Sequence, residues 1–393
     1  MTRNAEAFDC WIRTDFVAMN TELEELYFAR EDRSAVEGIG DGIKQRLCEE
    51  GRRLIAPLLA EGRTTDGFGS AFHLLGNVGL YLGALRRHEL TNPDREEQSP
   101  HKEASALALH VGAAAGMAPR FATAHLATHN LAVNGLRKSF TALHDEFLFI
   151  DENTRSILSF QNAADALRRL VAIGVSSPVA DVLFEQASVA LEAVIRFNQR
   201  LFETLDVDRF FYSVRPYYKP YRVGRQIYRG ANAGDFPGIN EIDLLLGLCR
   251  ASDPYYSQLL LEKMPFMMPD DQAQLRGCIA TPCMLDAFLL AADSHADQPW
   301  FQTNARAFLK LCDTFGRTAR QHHDMLVDRF ITRPAAQVNT GALSSITASG
   351  PPLDVLLRSL ERLRDYRCAA PRDDVPTRHG DIERLRALVD TGC

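Results

Sequence analysis

The sequence lacks several features that mark common functional classes. It has no excess of basic residues, because 44 Lys and Arg stand against 51 Asp and Glu and the net charge is −7. Nucleic acids and anionic membranes select for basic surfaces, so neither is expected as the main partner. None of the eight cysteines belongs to a CxxC pair. A zinc site is therefore not expected, and neither is a disulfide framework in a chain of this length.

Long apolar runs are also missing. No stretch approaches the roughly 18 apolar residues of a membrane span. The amino-terminal segment MTRNAEAFDCW lacks the apolar region that is typical of a signal peptide. We therefore expect a protein without a membrane span that works in the cytoplasm, as a monomer or a homodimer.

The sequence does contain a helical pattern over most of its length. Apolar residues recur at three- and four-residue spacing, which is the period of an amphipathic helix, whereas the alternation typical of strands is not sustained. Since 46% of the residues are apolar, the chain can bury a large core. We predict an all-α fold with helices that include residues 54–59, 72–85, 104–115, 157–173, 179–205, 242–248, 285–292 and 305–330.

Turn-forming and polar stretches divide this pattern into three parts. A polar connector at 91–102 separates an amino-terminal helical part, residues 1–100, from a larger helical domain at 101–368. A stretch rich in Pro and Asp at 369–377 then leads into a tail, residues 369–393, with one more amphipathic helix at 382–389.

One segment carries chemistry that a core does not require. Arg215 lies within a cluster of Phe and Tyr residues between positions 210 and 221. Burying an unpaired guanidinium is costly, so a ring of aromatic residues around one favours a planar anionic guest such as a carboxylate. The alternative is an Arg that stacks on a surface tyrosine or pairs with Glu241 or Asp243.

A second candidate lies in the predicted helix at 305–330, whose apolar stripe contains or adjoins His322 and His323. On residue types alone, a histidine on such a face is more often a hydrogen-bonded core residue than a metal ligand. The pattern by itself leaves both interpretations open.

Several separated motifs resemble the indoleamine 2,3-dioxygenase superfamily, and they are most similar to its bacterial branch typified by monodechloroaminopyrrolnitrin synthase. Order and spacing agree over roughly residues 65–365. The motifs are Phe210-Phe211-Tyr212-Ser213-Val214-Arg215, Tyr228-Arg229-Gly230, Asn232-Ala233-Gly234, Asp243-Leu244-Leu245-Leu246-Gly247, Ser139-Phe140-Thr141-Ala142-Leu143, Asp145-Glu146 and the segment around His323.

The resemblance implies a large helical heme-binding domain in which His323 ligates the iron, with His322 as the second candidate. It also implies noncovalent heme b, because Val327 stands where covalent attachment would use a cysteine. The resemblance also implies that Arg215 binds the substrate carboxylate and that Phe211, Tyr212 and Tyr217 form a wall around the substrate ring. The backbone of Asn232, Ala233 and Gly234 would approach the heme closely. Thr340 and Gly341 would form a loop whose hydroxyl binds substrate or relays a proton.

We therefore expect a heme-dependent oxidoreductase that oxidises or rearranges tryptophan, or a halogenated or modified relative, in specialised-metabolite biosynthesis. Dioxygen or hydrogen peroxide would be the oxidant. A peroxide-dependent tyrosine-type hydroxylase, a non-catalytic heme sensor or carrier, and a heme-free helical interaction protein remain alternatives. The groups on the distal side of the heme are also open, with candidates at His73, His129, Asp151, Glu152, Ser156 and Ser159.

Overall fold

The structure is a computed structural model, and it describes residues 2–62, 67–231, 234–337 and 352–390. It is 71% helical and contains only two short strands among these residues, so the all-α prediction is confirmed. The seven cysteines within the described ranges are free thiols.

The first half of the chain is mostly α-helical, and it ends with a π-helical turn, a 3-10 turn and a short hairpin. The helices are α1 (Arg3–Arg13), α2 (Asp15–Phe28), α3 (Asp41–Ala60), α4 (Phe68–Arg87), α5 (Lys102–Ala115), α6 (Thr123–Leu126), α7 (His144–Ile173), α8 (Ala180–Thr204) and α9 (Val207–Arg209). After them come a π-helical turn (Phe210–Val214) and a 3-10 turn (Arg215–Tyr218). An antiparallel hairpin follows, made of β1 (Tyr221–Val223) and β2 (Gln226–Tyr228).

The second half is helical as well. It comprises α10 (Pro237–Leu246), α11 (Pro254–Lys263), a 3-10 turn (Met264–Phe266), α12 (Pro269–Ile279), α13 (Met284–His295) and α14 (Pro299–Gln321). A second π-helical stretch (His322–Thr332) continues α14, and α15 (Arg333–Gln337), α16 (Leu353–Arg367) and α17 (His379–Asp390) complete the chain as described. The predicted helix at 305–330 is therefore α-helical only as far as Gln321.

Two large clusters of buried apolar side chains form the core. One joins the amino-terminal helices to the aromatic segment and β1, and the other joins α7 and α8 to the carboxy-terminal helices. The helices α7 and α8 pack along each other, and α14 packs on α8. The predicted boundary at residue 100 falls between α4 and α5, which pack on each other and share the first cluster.

Two helical stretches among the described residues are long and apolar enough to cross a membrane by length and composition alone, contrary to the expectation of none. They are Phe68–Arg87 and Pro269–His295. The apolar window of the first is 78% buried inside the protein and that of the second is 33% buried. A core helix passes the same test, so these stretches are weak evidence for a span.

A buried ion pair holds the aromatic segment in place. In an α-helix the carbonyl of Tyr212 would accept a hydrogen bond from the fourth residue on, but that residue is Pro216, which has no N–H. Arg87 on α4 supplies a donor instead, with its Nη2 2.9 Å from the Tyr212 carbonyl oxygen. The same guanidinium donates to both carboxylate oxygens of Glu24 on α2, at 2.7 and 2.8 Å. Burial raises the pKa of Glu24, and the charge of Arg87 opposes this rise.

Replacing Arg87 with Met should lower the free energy of unfolding by about 3–5 kcal/mol, because Glu24 would remain as a buried charge without its partner. Urea denaturation measures this loss. The double variant Glu24→Met/Arg87→Met should recover much of it, since no charge then stays buried. Arg317→Met is the control, because its ion pair with Glu192 is largely exposed and should contribute little. Equal losses in the Arg87 and Arg317 variants would contradict the role of the buried pair.

Candidate functional site

A cavity opens between α7, α8, the second π-helical stretch and α16. It has an apolar half of about 210 Å³ and a polar half of about 670 Å³. The two halves adjoin, because the same five residues line both. These shared residues are Asn153, Asn198, His322, Leu356 and Leu360.

Four aromatic rings form a connected wall in the apolar half. The ring of Phe149 lies edge-on to Tyr218 at 5.8 Å and 4.9 Å from Phe210, which in turn lies edge-on to Phe330 at 5.8 Å. Among the described residues, no acidic side chain lines this half. Most of the remaining lining is aliphatic, and the polar residues in it are Thr123, Asn153, Asn198, Arg215 and His322. The aliphatic residues are Leu126, Ala127, Ile150, Leu201, Leu205, Ala231, Leu326, Val327, Ile331, Leu356 and Leu360. Such a wall suits a flat apolar ring.

Arg215 brings a positive charge to this apolar half. In the π-helical turn the backbone N–H of Arg215 donates to the carbonyl oxygen of Phe210, five residues back. The side chains of Arg215 and Phe210 therefore lie one turn apart on the same side of the segment. The 3-10 turn then repeats every three residues, which adds Tyr218 to that side. The Arg215 side chain is buried, and this burial lowers its pKa to about 10, so it stays charged at neutral pH. A guanidinium in such a wall is suited to bind a carboxylate through two hydrogen bonds.

The three rings predicted to wall the substrate do not line the cavity in the described structure. Phe211 is buried, lies edge-on to Tyr212 at 5.1 Å and has the guanidinium of Arg215 5.3 Å from its centroid. Tyr217 stacks on Phe140 at 4.4 Å within the amino-terminal core. The five- and three-residue periods of the two turns bring Phe210 and Tyr218 to the cavity side instead, and the substrate contacts of the three predicted rings stay predictions.

Cationic side chains dominate the polar half. Arg229 binds both carboxylate oxygens of Asp235, at 2.7 and 3.1 Å. Asp235 and Glu262 are the acidic side chains that line this half among the described residues. The cations are Arg229, Lys263, Arg358, Arg362, Arg364 and Arg367, the last four of which belong to α16. An excess of positive charge at a cavity wall favours anionic groups of a ligand.

His322 and His323 both reach the cavity, at the start of the second π-helical stretch. His322 lines both halves, and its imidazole makes no hydrogen bond within the described chain although its side chain is exposed to the cavity. Desolvation by the surrounding protein and the nearby charge of Arg367 lower its pKa to about 4, so its imidazole is neutral. His323 lines the polar half, and its Nδ1 is buried without a hydrogen-bond partner among the described residues. A neutral imidazole with an unshared nitrogen is what a metal ligand requires.

These features fit a heme. The polar half offers apolar side chains such as Phe160, Phe236 and Leu363 for a flat macrocycle, cations for its carboxylates and two imidazoles for its iron. Within the described ranges, no group of three or more His, Cys, Asp or Glu could hold a bare metal ion.

The other predicted contacts fall partly outside the described residues. Gly234 lines the polar half, next to the ion pair between Arg229 and Asp235. Asn232 and Ala233, which precede it in the bend, lie outside the described residues, and so do Thr340 and Gly341 of the Thr-Gly loop. Their roles stay predictions.

Two carboxamides that the sequence reasoning missed stand where the halves meet. Asn153 on α7 donates through Nδ2 to the carbonyl of Phe149 at 2.7 Å, so its Oδ1 remains as an unused acceptor within the described structure. The side-chain amide of Asn198 on α8 makes no hydrogen bond with any described residue, and it lines both halves. Their neighbours Glu152 and Arg200 form an ion pair at 3.3 Å, so Asn153 and Asn198 lie at the same height along the two packed helices. Asparagines within amphipathic helices are common, so the sequence offered no signal for them.

Of the candidates for the distal side, only Ser156 lines the cavity in the described structure. Asp151 pairs with Arg137, and Glu152 pairs with Arg155 and Arg200. The remaining candidates, His73, His129 and Ser159, do not line either half. Of these candidates, the cavity therefore receives a hydroxyl and no further imidazole in the described structure.

The sequence matches a known protein family over the residues that form both the fold and the cavity. The family model described as monodechloroaminopyrrolnitrin synthase PrnB matches residues 2–389, which is nearly the whole chain. The resemblance inferred from separate motifs is thereby confirmed, including the branch. The chain belongs to the monodechloroaminopyrrolnitrin synthase PrnB family and is an enzyme of the heme-dependent oxygenase type.

Proposed function

We propose that this enzyme oxidises or rearranges the ring of tryptophan, or of a halogenated or otherwise modified relative, in the biosynthesis of a specialised metabolite. Noncovalently bound heme b would be the cofactor, and dioxygen or hydrogen peroxide the oxidant. The family's description as a synthase of monodechloroaminopyrrolnitrin supports this substrate class. The observation that carries the proposal is the position of Arg215 in an aromatic wall, within a cavity that also opens onto His322 and His323.

The apolar half would hold the substrate. Arg215 would bind its carboxylate, and Phe149, Phe210 and Tyr218 would pack against its ring. An N–H of the ring needs an acceptor in so apolar a place, and the unused Oδ1 of Asn153 supplies one. Holding the substrate by two separate polar contacts would fix its orientation, which is the protein's main contribution to a cofactor-driven reaction.

The histidine pair and the polar half would hold the cofactor. We propose His323 as the iron ligand, since its buried Nδ1 lacks a partner among the described residues. His322 is the second candidate, because it borders both halves of the cavity. When bound, heme supplies the redox chemistry. The Thr340 hydroxyl would contact the amino-acid end of the substrate or relay a proton, as the family resemblance implies.

Replacing Arg215 with Ala should raise the dissociation constant of tryptophan by about 10- to 100-fold, because a charge-assisted pair of hydrogen bonds is lost. The same change should hardly affect tryptamine, which has no carboxylate. Titrations that follow the Soret band of the heme-loaded protein measure both constants. Arg225→Ala is the matched control, since this exposed guanidinium lies in the same segment. If the Arg215 variant kept the parent's preference for tryptophan over tryptamine, the clamp would be disproved.

Replacing His323 with Ala should abolish the absorption of histidine-ligated heme and greatly weaken heme binding, because the iron loses its protein ligand. His322→Ala should retain heme with a perturbed spectrum. Imidazole added to the His323 variant should restore the ligated spectrum by filling the vacated position. If instead the His322 variant loses the spectrum and the His323 variant keeps it, the ligand is His322.

A further inference from the structure

We propose that Lys263 binds a carboxylate of the cofactor in the polar half of the cavity. This inference rests on the proposed heme site and adds the side chain that anchors one propionate. Lys263 ends α11, and it faces the cavity together with the arginines of α16.

The arginines of the polar half already have acidic partners within the described chain. The distances are 2.7 Å for Arg229–Asp235, 2.9 Å for Arg358–Asp354, 3.9 Å for Arg362–Asp253, 2.8 Å for Arg364–Asp365 and 2.7 Å for Arg367–Asp243. The carboxylates of Asp235, Asp365 and Asp243 are buried, and pairing with them offsets much of the cost of partly removing a guanidinium from water.

Lys263 differs from these arginines because no carboxylate of the described residues lies within ion-pair distance. Its Nζ is 3.5 Å from the Oδ1 of Asn240, which is long for a hydrogen bond and brings no charge. Burial lowers the pKa of Lys263 to about 8. The nearby charge of Asp235 opposes this shift, but that carboxylate is already bound to Arg229. A partly buried cation without a counter-charge at ion-pair distance is destabilising, and an anionic ligand would relieve that cost.

The position of Lys263 favours the cofactor over the substrate as the source of that anion. Lys263 lines only the polar half, whereas Arg215, the proposed clamp for the substrate carboxylate, lines only the apolar half. Heme carries two carboxylates on one edge of an otherwise apolar ring. A ligand of this kind would place its ring near His323 and His322 and its charged edge among the cations.

The test compares heme with its dimethyl ester, in which both propionates have lost their charge. The heme-loaded protein is mixed with excess apomyoglobin, and the rate of heme release is followed by absorbance. The parent protein should release the ester at least tenfold faster than heme. Lys263→Met should reduce this ratio several-fold, because only the charged cofactor loses a contact. Lys263→Arg should restore most of it, and Lys310→Met, an exposed lysine paired with Glu185, should leave it unchanged.

Three outcomes would overturn the inference while the proposed function stands. The ratio could be the same in Lys263→Met as in the parent, or the parent could release heme and ester at equal rates. Tryptophan affinity could also fall in Lys263→Met with the release ratio unchanged, which would assign the anion to the substrate. A parent protein that binds neither heme nor ester would refute the proposed function together with this inference. Circular dichroism of each variant confirms that a changed ratio does not reflect unfolding.

Discussion

The two π-helical stretches decide which side chains reach the cavity, and the arrangement of the site depends on them. In the first, the turn at Phe210 to Val214 aligns Arg215 with the ring five residues before it. In the second, a period of roughly four to five residues brings Leu326, Val327 and Ile331 to the side of His322. An α-helical register would turn different residues inward at both places. Such stretches recur at functional sites because they re-aim side chains at the cost of regular hydrogen bonding.

In the first stretch, a side chain from another helix replaces a lost backbone hydrogen bond. Pro216 removes the donor that the Tyr212 carbonyl would use, and Arg87 replaces it from a neighbouring helix. Arg87 is itself fixed by the buried carboxylate of Glu24. The aromatic segment is therefore held by a charge network in the amino-terminal core as well as by packing. We infer that helices remote from the cavity help to orient the proposed substrate clamp.

Charge is distributed unequally between the two halves of the cavity. The apolar half contains the single guanidinium of Arg215 and no acidic side chain among the described residues, whereas the polar half contains six cations and two acids. A ligand with one carboxylate suits the first half, and a ligand with a charged edge suits the second. Because the halves meet at His322, both ligands would contact the same reaction centre.

Much of this could be predicted from sequence, and the failures have a physical pattern. Apolar spacing correctly predicted the helical fold and most of the long helices, and motif order correctly predicted the family. Arg215, His322 and His323 line the cavity, and their functional roles stay predictions. Phe211, Tyr212 and Tyr217 do not line it in the described structure, because sequence proximity to an arginine does not specify helical register. The carboxamides of Asn153 and Asn198 were missed because only the pairing of α7 with α8 brings them together.

The central claim is that one cavity holds both a heme and an aromatic amino acid. Its most direct test is a heme titration of the purified apoprotein, followed by addition of tryptophan to the loaded protein. We predict one heme per chain and a Soret band that shifts when tryptophan binds, with little response to tryptamine. A protein that takes up no heme at this stoichiometry, or a Soret band that does not respond to any aromatic amino acid, would contradict the account.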